Sequence, residues 1–88
     1  MRTVWKFPAP APGRNMQIDV PGFPRPLAMG KQGDEYVWWG EVDDEDGLRP
    51  VELLTLGTGW EVPRDAAHID TIQEGAFVWH LYVRVLPK

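Results

Sequence analysis

The sequence predicts an all-β domain, a small antiparallel sandwich or barrel of about six or seven strands. Three observations carry this. Phe77 to Val85 is an unbroken run of β-branched and aromatic residues without Gly or Pro, a composition that suits a pleated, half-buried surface. Short segments of alternating apolar and polar residues recur at close spacing, each closed by Gly, Pro or acidic turn residues. No segment sustains the three-four apolar spacing that an amphipathic helix needs. The 88 residues form one domain, 1–88, of a size that buries only about 60–65% of the surface its unfolded chain exposes.

Taken in order, Thr3 to Phe7 alternates and is a first strand, with Thr3, Trp5 and Phe7 on one face. Pro8-Ala9-Pro10-Ala11-Pro12-Gly13 stops it as a stiff connector, because proline donates nothing to a ladder and favours extended polyproline geometry. Met16, Ile18 and Val20 alternate with Gln17 and Asp19 in a half-buried strand, ended by Pro21-Gly22. Leu27 to Lys31 is a short strand closed by Gln32-Gly33-Asp34. Glu35 to Val42 follows, with Tyr36, Trp38 and Val42 on one face and Val37 and Trp39 on the other. Asp43 to Gly47 is an acidic hairpin loop, and Leu48 to Leu56 resumes as a strand that Pro50 pushes towards a sheet edge. Arg64 to His68 has room for one helical turn. His68 to Gln73 is a weak strand, and Glu74-Gly75 turns the chain into Phe77 to Val85. In that last strand Phe77, Trp79, Leu81, Val83 and Val85 make an apolar face to be buried; Val78, His80, Tyr82 and Arg84 make the other.

Composition removes whole classes of function. With no Cys there is no disulfide or thiolate metal site, and with no Ser the remaining hydroxyl nucleophiles are four threonines, none beside a histidine in sequence. A net charge of −4 argues against non-specific nucleic-acid binding, which needs a basic stripe, while leaving room for a local anion pocket. Nothing resembles a signal peptide or a membrane span, so the expected setting is cytoplasmic. The acidic loop fails as a calcium site: placing Gly47 at the sixth loop position puts Val42 and Leu53 where carboxylates belong. His68 and His80 are the only histidines, too few for a catalytic zinc set, so no metal and no cofactor are expected.

What remains is a binding surface. His80, Tyr82 and Arg84 line one strand face, offering an imidazole, a phenol and a planar guanidinium to an anion or a base. Gly57-Thr58-Gly59 is a sharp turn whose backbone amides suit an anion, and Trp60 beside it suits ring stacking. Trp38-Trp39 puts an indole on each side of a strand, so Trp39 is the expected protein-contact residue if only one face is covered.

The chain resembles a family of small bacteriophage and prophage proteins of unknown function. The resemblance rests on Trp5-Lys6-Phe7, Gln17-Ile18-Asp19-Val20-Pro21-Gly22, Tyr36-Val37-Trp38, Gly57-Thr58-Gly59 and the closing Phe77 to His80. The stretches Pro8 to Pro12 and Phe23 to Pro26 depart from the pattern. The resemblance implies a small β domain of phage origin and brings no catalytic residues with it. The resulting expectation is a phage-encoded, non-enzymatic binding protein of the host cytoplasm, a homo-oligomer acting against host defence by sequestering a small anionic nucleotide signal. The alternatives are an inhibitor or adaptor of a host protein, and a minor virion or assembly component.

Overall fold

In a computed structural model that describes residues 1–87, the alternating segments become seven strands. They are β1 (Arg2–Ala9), β2 (Asn15–Pro21), β3 (Arg25–Gln32), β4 (Glu35–Asp43), β5 (Leu48–Gly57), β6 (Ala67–Glu74) and β7 (Phe77–Val85). The expected strands are therefore present, most of them a residue or two longer. The interval Arg64 to His68 holds a turn, not a helix. All pairing is antiparallel, in two sheets ordered β1-β4-β3 and β2-β5-β7-β6. The molecule is a sandwich, because two separate sheets face each other instead of closing into one.

Side chains alternate across each strand, so each sheet has one inner face. Phe7, Val42 and Trp38 from the first sheet meet Val20, Val51, Leu53 and Leu81 from the second in a single core. Trp38 stacks on Phe7 with centroids 4.4 Å apart, and its indole N–H donates to the Pro8 carbonyl at 3.1 Å. That bond satisfies the polar end of a side chain only 2% exposed.

The sheets are stitched along the β3 and β6 edges. A bulge between His68 and Asp70 aims Asp70 inward, where its carboxylate accepts the Met29 backbone N–H at 2.7 Å. At the far end of β6, Glu74 accepts from Lys31 and from Tyr36, each at 2.6 Å.

Three expectations need correction. Pro8 does not stop β1: the strand continues to Ala9, with Pro8 opposite Val37, because β1 is a sheet edge that tolerates a missing donor. Pro50 is not at an edge, since β5 lies between β2 and β7. Its carbonyl accepts from Leu86, so its absent N–H faces the β7 side beyond Val85, where the ladder has already ended. The apolar face of β7 is not wholly buried. Leu81 at the centre is sealed, yet Phe77 is 61% and Val85 46% exposed at the two ends of the strand.

Candidate functional site

The polar face of β7 lies on the outside of the second sheet. Register sets its neighbours: Leu56 and Thr71 flank His80, Leu54 and His68 flank Tyr82, and Glu52 stands opposite Arg84. Thr58, just beyond the end of β5, comes within 2.9 Å of His80 Nε2. On the other side, His80 Nδ1 lies 2.9 Å from the Thr71 hydroxyl, and His68 Nε2 lies 2.8 Å from that same oxygen. Both histidines of the chain thus belong to one hydrogen-bonded row, Thr58–His80–Thr71–His68. His68 also meets Tyr82 edge-on at 5.3 Å. No threonine neighbours a histidine in sequence, so only strand pairing reveals the row, and Thr71 escaped the sequence reading for that reason.

Chemically the row stops short of a nucleophile–base pair. Thr58 and His80 have the separation such a pair requires, but the second imidazole nitrogen meets a neutral hydroxyl. Among the described residues the histidines meet hydroxyls and not a carboxylate that would stabilise an imidazolium, as in a hydrolase triad. Among the described residues no three His, Asp or Glu side chains converge as a metal-ligand set.

Glycines position Trp60. A Cβ on Gly57 would lie 2.8 Å from Trp60 Cε2, so the indole sits where only glycine leaves space. Gly59 has φ of +87°, a left-handed conformation in which glycine carries no Cβ penalty. The Trp60 N–H closes the turn onto the Gly57 carbonyl at 3.2 Å. Trp60 remains 48% exposed and divides two hollows. On one side a shallow depression of about 160 Å³ contains Thr58, Val62, His80 and Tyr82. On the other, a cleft of about 430 Å³ is walled by Ala76, Phe77 and Trp79. Phe77 stacks on Trp79 at 5.4 Å, and Trp60 is tilted against Trp79 at 6.1 Å.

Trp79 is held from behind. Its indole N–H donates to Glu74 Oε1 at 3.1 Å. Hydrogen bonds from Lys31, then Tyr36, then Trp79 stabilise the charged carboxylate and lower its pKa from 4.5 to about 2. The same pairing raises Lys31 and Tyr36.

The structure therefore brings Gly57, Thr58, Gly59, Trp60, His80 and Tyr82 to one depression, and leaves two other sequence-picked residues apart. Arg84 lies further along the strand, with Nη1 3.5 Å from Glu52 and Nη2 3.1 Å from Asp65. Two carboxylates oppose its charge. Trp39 is half-buried on the outer face of the first sheet, seated over Gly30 and opposite Lys6 and Ala28. The more exposed indoles are Trp60 and Trp5.

Fold and surface together define a small antiparallel β-sandwich with an aromatic, hydroxyl-lined depression at one end of its larger sheet. The chain belongs to the family described as a domain of unknown function (DUF7352), whose model matches residues 1–88. No curated protein and no solved structure matches it.

Proposed function

We propose that the chain is a non-enzymatic binding protein whose ligand stacks a planar ring on Trp60 and directs its polar groups to Thr58 and His80. The reading includes a phage origin, action in the host cytoplasm, and sequestration of a small anionic nucleotide signal used in host defence. Homo-oligomerisation, closing a second chain over so shallow a depression, belongs to the same proposal. One observation supports it above the rest: an indole is held half-exposed on a glycine seat, beside hydroxyl and imidazole groups. Stacking a base on an aromatic side chain contributes roughly 1–3 kcal/mol, and hydroxyls suit both donors and acceptors on a ligand.

Calorimetric titration against a panel of nucleotides is the test. Trp60→Ala should weaken binding by roughly 5–150-fold, the equivalent of one stacked base. Absence of heat with every nucleotide would overturn the reading.

A second reading, an inhibitor or adaptor of a host protein, draws support from Phe77, which is 61% exposed beside Trp60 and Trp79. Contiguous exposed aromatics are a common feature of protein contacts. Pull-down from host lysate separates the two: a stoichiometric partner lost on Phe77→Ala or Trp39→Ala favours this alternative.

A further inference from the structure

We propose that the site's pH-gated cation is a protonated His80, and that Thr71 and His68 act through it to set when the site accepts an anionic group. This deepens the nucleotide reading and rests on it. Among the side chains lining the depression, His80 is the one that can become a cation. Arg84 is opposed by Glu52 and Asp65. Arg14 and Arg64 lie outside the lining. Histidine changes charge between about pH 5 and 8.

The row accommodates a proton without losing a bond. In the neutral row each imidazole carries one N–H, and the hydroxyls of Thr58 and Thr71 bridge donor to acceptor in either direction. Adding one proton makes both His80 nitrogens donors. Nε2–H then donates to Thr58 Oγ1 and Nδ1–H to Thr71 Oγ1, while the Thr71 hydroxyl donates to His68 Nε2. All three contacts of 2.8–2.9 Å are kept. The Thr58 hydrogen, no longer needed inward, turns to the depression as a donor. A ligand anion then meets an O–H backed by an imidazolium, and charge-assisted hydrogen bonds are roughly twice as strong as neutral ones.

From β6, Asp70 Oδ1 accepts the Thr71 N–H and Oδ2 the Met29 N–H. On β7, Tyr82 and then the paired Arg84 follow along the face. From β5, Leu56 is apolar and Glu52 is engaged by Arg84. The loop after β5 contributes Thr58 and Trp60, with Glu61 exposed and Asp65 paired to Arg84.

Adenosine and 3′,5′-cyclic AMP share a ring and differ in a phosphodiester whose charge is constant over this pH range. Cyclic AMP should bind the whole protein roughly tenfold more tightly at pH 5.5 than at pH 8.0, while adenosine binds equally at both. Thr71→Val, at an exposed strand position that keeps a β-branched side chain, should reduce that ratio below about threefold, and Thr71→Ser should restore it. A Val variant that retains the full ratio, or adenosine that shares it, overturns the relay while leaving the stacking site standing. If neither compound binds, the nucleotide reading is the part that fails. The relay is then judged in the free protein by imidazole ¹⁵N NMR: His68→Gln should displace the His80 titration, and an unmoved titration overturns it.

Discussion

Thr55 offers the cleanest perturbation of the frame that presents this site. It is fully buried on the inner face of β5, and its hydroxyl donates to the Pro10 carbonyl at 2.8 Å. Next to it, Gly13 N–H donates to the Thr55 carbonyl at 2.9 Å, and the Thr55 N–H reaches Arg14 O at 3.4 Å. The proline-rich connector is therefore anchored by one strand residue, and a Cβ on its Gly13 would lie 3.7 Å from the Trp60 ring. Thr55→Val conserves shape but leaves a buried carbonyl without its donor, an omission that costs about 1–3 kcal/mol. For a domain of this size each kcal/mol lowers Tm by roughly 4–8 °C, so a loss of about 4 °C or more is expected. Thr55→Ser keeps the hydroxyl and removes one methyl, worth about 0.8 kcal/mol in transfer free energy with a small cavity term added. Thermal unfolding measures the totals, and hydrogen exchange at the Gly13 amide localises the cause. Protection of that amide should fall in the Val variant and persist in the Ser variant. A Val variant as stable as the parent, with Gly13 still protected, would refute the anchoring argument.

The other expectations concern the core, the electrostatic clamp and the indole seat. Leu81→Ala, at a site with no exposed surface, should cost about 2–5 kcal/mol in urea unfolding; a loss under 1 kcal/mol would mean that the sheets do not pack as described. Glu74 has a folded-state pKa of about 2 against an ordinary 4.5, so its contribution is complete above the higher value and disappears as pH falls through the lower one. Stability should therefore decline between about pH 5 and 2, and Glu74→Gln should flatten that decline; an unchanged profile counts against the clamp. Gly57→Ala puts a Cβ 2.8 Å from the Trp60 ring. Because that ring is half-exposed it should swing outward, raising acrylamide quenching of tryptophan fluorescence while stability changes by less than about 1 kcal/mol. Unaltered quenching would show that Gly57 is not the seat.

Much of the fold was legible in the residues. Period-two alternation located all seven strands, since which face a side chain takes depends on its immediate neighbours in the chain. The same rule placed Trp38 inward and Trp39 outward, and put His80 and Tyr82 together opposite Leu81. Local chemistry also marked the turns, with Gly13, Gly22, Gly33, Gly59 and Gly75 all at positive φ. The glycine turn and Trp60 were readable as a pair because they adjoin in sequence.

Pairing is a different matter, because a strand carries no local mark of its partner. Alternation could not say that Thr71 would stand opposite His80, nor that a bulge would set His68 against the same hydroxyl and swing Asp70 inward. It could not foresee that Glu52 and Asp65, distant in sequence, would occupy Arg84, or that Phe77 and Val85 would stay exposed while Leu81 between them is sealed. The sequence by itself determined the strands and their faces; the tertiary structure alone decided the proton-sharing row, the neutralised guanidinium and the exposed aromatic rim. The physical reason is range: face is set by the backbone of one segment, whereas contact is set by register between segments far apart in the chain.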